Sequence, residues 1–364
     1  MLSPEARLLI LAPNWLGDLV MATPLMSFLF DHLTGTGARL VLGVRPAWAD
    51  LFREDPRFDS VFLIRRKDRH GGPLGSLRLG RDLAGEAFSG VVVCPPSLRM
   101  GLAVRLAGIP VRVGFPTDRR GPLLTHPVAP VSRGALHYSQ EMLSLGSALV
   151  RALGLPLVET PAGPGLPAPA LPSGLGGLAN TETDGPPIWV LGPGATFGEA
   201  KNWPLGRVAD LVRLVQARQD VRVVLLGDAQ AGHQAQDLAA RLKLTPRRAL
   251  AGPAGLVDLT GRTDLRRVAA ILGHARAYVG NDSGLMHLAG ALGTPTVGVF
   301  GSSNPAWTAP LGPRAGFQAA AGFDCHPCYR KSCNQPEFCL ETVTAEAVLA
   351  KLDSLMAPPA RETN

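Results

Sequence analysis

Polar residues and glycines cluster where predicted strands end, and the most extensive cluster lies in residues 278–310. Asn281-Asp282-Ser283 ends a β-type run there, and apolar residues follow at helical spacing. Asp282 and Ser283 favour a helix N-cap, and the first turn of a helix carries unpaired N–H groups and a partial positive charge. A phosphate or diphosphate could be bound there by backbone groups, or the two residues could only cap a buried helix. His287, on the first turns of the same helix, favours a binding site.

A glycine-rich loop follows a predicted strand at residues 192–204. Its glycines fit the pattern G-x-G-x-x-x-G, which is a weak dinucleotide signal. Pro204 argues against that interpretation, because the helix of a dinucleotide site would already be running at this position. A long loop that brings Thr196 and Lys201 to a phosphate fits the sequence better.

The first strand is followed by a similar turn at residues 12–18, which contains Asn14, Gly17 and Asp18. Gly17 could permit the close approach of a ligand, or it could adopt a backbone angle that other residues avoid. Asp18 could cap a helix or direct its carboxylate into a cleft, and the spacing does not decide between these alternatives.

Four cysteines near the C-terminus, Cys325, Cys328, Cys333 and Cys339, enclose His326. Cysteines at such spacings can bind zinc, form disulfides, or do neither. The expected compartment is the cytoplasm, because no signal peptide or membrane-spanning run is recognised, and this argues against stable disulfides. Cys94 is predicted to be a small buried hydrophobic residue.

The chain is basic, with a formal net charge of +7 over 364 residues, and arginine carries most of the positive charge. This balance favours an anionic partner but does not identify it. Two basic clusters follow predicted strands in the first half of the chain. Their candidate acceptor-binding residues are Arg65, Arg66, Arg119 and Arg120.

Strands and helices alternate in both halves of the chain, which predicts an α/β protein with parallel sheets. Helices are predicted at 18–30, 98–107, 136–153, 205–217, 229–242, 264–273, 284–292 and 344–355, among others. The predicted organisation is an N-terminal domain (1–160), a linker rich in glycine and proline (161–187), a C-terminal domain (188–342) and a C-terminal segment with one helix (343–364).

With these residues assembled, the chain resembles the ADP-heptose:lipopolysaccharide heptosyltransferases of glycosyltransferase family 9, most closely the heptosyltransferase II branch. The matching stretches are spread over both halves and include the cysteine-bearing tail. They are APNWLGDLVMATPL at 12–25, PGATFGEAKNWP at 193–204 and LTGRTDLRRVAAILGHARAYVGNDSGLMHLAGALGTPTVGVFGSSNP at 259–305.

The resemblance implies a GT-B fold, with two Rossmann-like doubly wound domains facing a central cleft. The N-terminal domain would bind the acceptor and the C-terminal domain the ADP-sugar, with the C-terminal helix packing back on the N-terminal domain. The implied reaction is inverting transfer of heptose from ADP-L-glycero-β-D-manno-heptose to the heptosyl-Kdo-lipid A inner core. No cofactor, metal or nucleic acid is expected. The expected partners are a phosphorylated lipid acceptor and, transiently, the cytoplasmic face of the inner membrane.

The resemblance also assigns roles to residues. Asp18 matches the general base, and Lys201 is expected to act in catalysis as well as in donor binding. The other donor-site residues are Gly17, Thr196, Asp282, Ser283, Gly284 and His287, with Asp228 at the ribose, and Asn14 joins the four arginines at the acceptor.

Three alternatives remain at this stage. A related glycosyltransferase could use another nucleotide sugar or another envelope glycan. A nucleotide-dependent oxidoreductase is disfavoured, because G-x-G-x-x-G is absent. A non-catalytic binding protein on the same fold would be expected to have lost Asp18 or Lys201.

Overall fold

The computed structural model describes residues 3–157 and 180–357. The chain divides into two compact units, Met1–Ser173 and Gly174–Asn364. The predicted linker, residues 161–187, falls mostly outside the described residues.

The first unit contains a parallel sheet of six strands in the order β3-β2-β1-β4-β5-β6. Residues 8–11 of the central strand are fully buried, as expected for a parallel strand covered on both faces. The register places Leu9 between Val41 and Val91 of the neighbouring strands. The strands are β1 (Arg7–Leu11), β2 (Arg39–Val44), β3 (Ser60–Leu63), β4 (Gly90–Val93), β5 (Val111–Gly114) and β6 (His126–Pro127).

Helices cover both faces of this sheet, and two of them, α4 and α5, pack against each other. Their inner residues form one core cluster with β1 and β4. The helices are α1 (Leu16–Met21), α2 (Thr23–Leu33), α3 (Pro46–Ala49), α4 (Gly75–Ala84), α5 (Leu98–Leu106) and α6 (Tyr138–Ala152). Helix α4 and strand β6 were not predicted from the sequence.

The single helix predicted over residues 18–30 is instead two helices, α1 and α2. The break has a simple cause, because Pro24 has no N–H to donate to the carbonyl of Val20 four residues earlier. The hydroxyl of Thr23 donates to that carbonyl instead, over 2.8 Å.

The second unit repeats the architecture, with six parallel strands in the order β12-β11-β10-β7-β8-β9. Counted within each unit, both sheets have the strand order 3-2-1-4-5-6 of a dinucleotide-binding fold. The strands are β7 (Ile188–Gly192), β8 (Arg222–Leu225), β9 (Gly255–Asp258), β10 (Ala277–Asn281), β11 (Thr296–Phe300) and β12 (Ala315–Ala319). The edge strands β9 and β12 were not predicted from the sequence.

The helices of the second unit are α7 (Asn180–Thr183), α8 (Leu205–Arg218), α9 (Gly232–Leu242), α10 (Leu265–His274), α11 (Gly284–Ala291), α12 (Pro305–Thr308) and α13 (Ala345–Met356). The C-terminal helix was expected to pack back on the N-terminal domain, but its apolar face is used within the second unit. Helix α13 packs on α8, β11 and β12, and its buried residues Val348, Leu349 and Leu352 belong to the core of the second unit.

The strand order determines which loops become neighbours. In each unit the direction of winding reverses between the first and fourth strands, which are β1 and β4 in one unit and β7 and β10 in the other. Ligands of open α/β sheets bind beyond the carboxyl ends of these two strands. The predicted site loops start at this point, after β1 in the first unit and after β7 and β10 in the second.

Candidate functional site

One buried asparagine joins the two loops of the second unit. Asn281, the last residue of β10, accepts a hydrogen bond from the backbone N–H of Trp203 over 2.8 Å. Its amide nitrogen donates to the carbonyl of Pro193 over 2.8 Å. Asn281 therefore holds both ends of the glycine-rich loop against the strand that leads to Asp282. Sequence reasoning gave this residue no role, although it directly precedes Asp282.

Lys201 and Asp282 meet at the centre of this arrangement. The Nζ of Lys201 lies 2.5 Å from Oδ2 of Asp282, and the hydroxyl of Ser303 donates to the same oxygen over 2.6 Å. On the other side, Nε2 of His287 lies 3.7 Å from Oδ1. The ammonium of Lys201 also lies 5.1 Å from the ring centroid of Phe197, within cation–π range. The structure thus brings together three predicted residues and adds Ser303 and Phe197.

The carboxylate of Asp282 is stabilised by these partners. Burial alone would raise its pKa, but the contact with His287 and the positive charge of Lys201 outweigh burial and lower the pKa to about 2. Asp282 is therefore ionised at neutral pH and holds Lys201 in place.

The capping interpretation of Asp282 and Ser283 is wrong. Ser283 is the N-cap residue of α11, but it makes no side-chain capping hydrogen bond. Its buried hydroxyl lies beside the phenol of Tyr278 and makes no hydrogen bond of normal geometry in the described part of the chain. The Nδ1 of His287 also lacks one there. The first turn of α11, which begins at Gly284, therefore keeps its N–H groups free of any side-chain cap, and two unsatisfied polar side chains lie beside it.

Thr196 and Asp228 form a second contact within the unit. The hydroxyl of Thr196 donates to Oδ2 of Asp228 over 3.3 Å. The other oxygen of Asp228 accepts hydrogen bonds from the N–H groups of Gln230 and Ala231, each over 3.1 Å. Asp228 thus caps the turn after β8 and leaves one carboxylate oxygen facing Thr196.

Two glycines at the strand ends make room for a buried tyrosine. A methyl group added to Gly192 or Gly280 would lie 2.3 or 2.4 Å from the hydroxyl of Tyr278. Neither glycine could be replaced without moving the ring of Tyr278, which is fully buried. The sequence pattern did not reveal this requirement.

In the first unit, the turn after β1 is held by its backbone. The carbonyl of Asn14 accepts hydrogen bonds from Arg45 and from the indole of Trp48, over 3.1 and 3.2 Å. The side-chain oxygen of Asn14 accepts one from Arg66 over 3.3 Å, so these two predicted acceptor residues lie together. Arg65 is exposed on the same loop as Arg66.

Gly17 and Asp18 lie in the first turn of α1. The left-handed angle suggested for Gly17 is wrong, because it is not among the glycines with positive φ. Asp18 is partly exposed and lies near Tyr138, the first residue of α6. Burial, and then the negative charge of Asp18, raise the pKa of Tyr138 well above its ordinary value, so this phenol is protonated at neutral pH.

Arg120 is wrongly predicted as an acceptor ligand. Its side chain is fully buried, and its guanidinium donates to the backbone carbonyls of Phe115, Pro95 and Val93. These carbonyls lie at the ends of β4 and β5, so Arg120 fastens the strand ends together. Its neighbour Arg119 is exposed.

The cysteine-bearing segment packs beneath the glycine-rich loop. Cys325, Cys328, Cys333 and Cys339 are free thiols that line one cavity. Burial raises the pKa of Cys339, and the charges of the other three raise it further. Residues 325–339 also brace the glycine-rich loop, since Ala200 donates its N–H to the carbonyl of Lys331 over 2.9 Å.

The described residues contain neither a helix that could span a membrane nor a cluster of metal-binding side chains. No helix within residues 3–157 and 180–357 is long and apolar enough to cross a membrane. In the same ranges no three His, Cys, Asp or Glu side chains are grouped so that they could hold a metal ion. Cys94 is buried, as predicted, and burial raises its pKa to about 12.

The chain is similar to known glycosyltransferases over nearly its whole length. Residues 76–338 match the sequence profile of glycosyltransferase family 9 (heptosyltransferase). Lipopolysaccharide heptosyltransferase 2 of Escherichia coli strain K12 is 27% identical over 370 residues, which cover 96% of this chain and 98% of that protein.

Solved structures give the same result for the fold. E. coli ADP-heptose lps heptosyltransferase II matches with a TM-score of 0.74 and 23% identity, over 96% of this chain and 98% of that one. E. coli heptosyltransferase WaaC with ADP-2-deoxy-2-fluoro heptose matches with a TM-score of 0.69 and 19% identity, over 96% and 99%. The fold is therefore the GT-B type.

Proposed function

Since the chain belongs to glycosyltransferase family 9, the heptosyltransferases, we propose that it transfers heptose from ADP-L-glycero-β-D-manno-heptose to the heptosyl-Kdo-lipid A inner core. Transfer inverts the anomeric centre. The proposal rests above all on one observation: a lysine held by a buried carboxylate stands beside an uncapped helix N-terminus with unsatisfied polar groups. One relative is a lipopolysaccharide heptosyltransferase, and another heptosyltransferase was solved with ADP-2-deoxy-2-fluoro heptose.

The second unit is the donor domain in this proposal. The diphosphate lies at the first turn of α11, where the N–H groups of the turn, the hydroxyl of Ser283 and the ring of His287 are available to it. Lys201 contributes a charge-assisted contact from the facing loop. Thr196 and Asp228 face the remainder of the nucleotide, with Asp228 as the ribose ligand.

Asp282 has a positioning role rather than direct contact with the diphosphate. Two like charges in a buried site repel each other, so an ionised carboxylate is a poor ligand for a phosphate. Both oxygens of Asp282 are already engaged, one by Lys201 and Ser303 and the other by His287. Asp282 therefore orients three groups that face the donor.

The chemistry follows from the acidity of the reacting groups. A sugar hydroxyl is too weak an acid to ionise alone at neutral pH, so a base must accept its proton as the new bond forms. Asp18 is that base. The bond from the heptose anomeric carbon to the diphosphate breaks in the same step, and the negative charge that ADP gains is stabilised by Lys201 and the α11 N-terminus.

The first unit is the acceptor domain, and its exposed arginines bind phosphate groups of the acceptor. Arg65, Arg66 and Arg119 keep this role, whereas Arg120 does not. Arg66 lines a pocket together with Ser76, Ser97 and Arg99, which offers two guanidinium groups to one anion. We propose further that the protein works in the cytoplasm, in transient contact with the inner membrane.

The proposal is tested by the product. Purified protein is incubated with ADP-heptose and the heptosyl-Kdo-lipid A acceptor, and the acceptor is analysed by mass spectrometry. One added heptose per acceptor is expected, with none in the Asp18→Asn variant over the same period. A sugar transferred from a different nucleotide donor, with ADP-heptose unused, would favour the alternative glycosyltransferase activity.

A further inference from the structure

The outer faces of α4 and α5 have an unusual composition. Every exposed side chain on these two helices, and on the residue that caps α4, is a leucine, an arginine or one alanine. They are Leu74, Leu77, Arg78, Arg81, Ala84, Leu98, Arg99, Leu102, Arg105 and Leu106. We call these residues the leucine–arginine face.

The exposed leucines do not serve the core of the unit. That core is built from the opposite sides of the helices, through residues such as Leu79, Leu83 and Val104. Where the two helices meet, a methyl group on Gly80 would lie 2.9 Å from Cβ of Leu106 and 3.0 Å from the carbonyl of Ala103. Only the base of Leu106 takes part in this contact, and the side chain stays 48% exposed. Folding therefore leaves roughly half of each of these leucine side chains exposed.

The exposed leucines form a continuous ridge rather than scattered contacts with solvent. On α5 they recur every fourth residue, at Leu98, Leu102 and Leu106, so they stack along one side of the helix. Leu77, on the neighbouring helix α4, is 50% exposed, and Leu106 is 48% exposed. A contiguous apolar patch of this kind marks an interaction surface more often than single exposed leucines do.

The charge of this face has one sign. Asp82 is the only acidic residue on the two helices, and it is already bound by Arg69 and His70, over 2.5 and 2.9 Å. The Arg69 hydrogen bond holds the pKa of Asp82 far below its usual range, so the pair persists at neutral pH. Neither Arg81 nor Arg105 has an ion pair within the part of the chain that the structure describes.

We propose that the leucine–arginine face docks on an anionic phospholipid bilayer. A helix that lies in a membrane interface places its leucines at the boundary between headgroups and acyl chains. Its arginines then lie at the level of the lipid phosphates. The inference rests on the proposed function, since a lipid-linked acceptor is what places the protein at a bilayer.

A second copy of this chain fits the face less well. A twofold interface presents the same patch from both sides, which would oppose the arginines of one copy to those of the other. No acidic residue on the two helices is free to offset that repulsion.

Vesicle binding tests the proposal without donor or acceptor present. The full-length protein is floated with vesicles of phosphatidylcholine alone or with about 30 mol% phosphatidylglycerol, which gives the vesicle surface a negative potential. Binding is expected only to the anionic vesicles, and it should weaken as salt rises.

The Arg81→Gln/Arg105→Gln variant should bind about 30-fold more weakly, since each arginine near such a surface contributes about fivefold. The Leu77→Ser/Leu102→Ser variant should lose roughly tenfold or more through lost apolar burial.

A matched control carries the same types of change elsewhere on the surface. Leu136 and Arg241 are exposed residues outside the face, and Leu136→Ser/Arg241→Gln should bind like the wild type. Because all six side chains are exposed, the variants should keep their thermal unfolding midpoints. Equal loss of binding in the control and the face variants would overturn the proposal.

Two further results separate this inference from the proposed function. If the wild type transfers heptose to a deacylated, water-soluble acceptor but the face variants bind anionic vesicles normally, the docking surface is refuted and the activity stands. If the wild type binds the vesicles through this face but transfers no sugar, the activity is refuted and the surface stands. A dimer that dissociates in the leucine variant, with unchanged vesicle binding, would identify a second copy as the occupant and overturn the proposal.

Discussion

The buried pair of Lys201 and Asp282 gives a quantitative prediction for Asp282→Asn. The substitution keeps the shape of the side chain and removes its charge. The pKa of Asp282 falls from 3.8 to about 2 in the folded protein. One pKa unit corresponds to about 1.4 kcal/mol, so ionised Asp282 contributes about 2 kcal/mol to the free energy of unfolding at neutral pH.

The pH dependence of this contribution has a definite sign. A carboxyl group whose pKa is lowered by folding binds its proton more readily in the unfolded chain. Its stabilisation is therefore fully present above the unfolded value of 3.8 and disappears as the pH falls toward about 2. The stability difference between wild type and Asp282→Asn should be about 2 kcal/mol at pH 7 and should narrow below pH 4.

Urea unfolding at several pH values, followed by tryptophan fluorescence, measures the effect, because Trp203 is buried directly beside the site. Asp210→Asn is the matched control. Asp210 pairs with Arg213 on the surface of α8, where both side chains are about half exposed, and its removal should change the unfolding free energy by less than about 0.5 kcal/mol. Equal losses in the two variants at pH 7, or a difference that does not narrow with acid, would refute the reasoning.

Three other predictions concern single residues. Lys201→Ala should weaken ADP binding by about ten- to a hundredfold in calorimetry, because a charge-assisted phosphate contact is lost; unchanged affinity would place the diphosphate elsewhere. Asp18→Asn should lower kcat by roughly two to four orders of magnitude with ADP affinity little changed, and near-normal turnover would remove Asp18 from the mechanism. Arg120→Met should cost about 3 kcal/mol or more in urea unfolding, because it leaves buried carbonyls unpaired, whereas the exposed Arg119→Met should cost less than about 0.5 kcal/mol. Similar costs at both positions would contradict the structural role of Arg120.

The sequence was sufficient to predict the α/β class and to single out several residues that meet at the candidate site of the second unit. Alternating strands and helices indicate parallel sheets, and Thr196 and Lys201 stand in a glycine-rich loop at a strand end. The pairing of Lys201 with Asp282 could not be predicted from spacing, because the two residues are 81 positions apart. They meet because β7 and β10 are neighbours in the sheet, and strand order is a property of the whole unit.

Arg120 shows the opposite failure, in which a local pattern suggested the wrong role. In sequence it is one arginine of a basic turn, and such turns are usually solvated. Its burial depends on carbonyls at the ends of two strands, Val93 on β4 and Phe115 after β5, which the sequence does not place together. The adjoining Asp118 and Arg119 both have positive φ. This unusual backbone turns the loop so that one arginine enters the unit while its neighbour stays exposed.

Asn281 explains how a flexible lysine could act as a precise ligand in the proposed function. A lysine side chain loses much rotamer freedom when it is fixed, and that cost normally reduces binding affinity. Here the cost is met during folding, because Asn281 fastens the loop and Asp282 fixes the ammonium group before any ligand arrives. In the proposed function, the diphosphate would then meet a charge that is already in place beside the first turn of α11. Donor affinity should therefore depend on the residues that hold the loop as well as on those that touch the ligand.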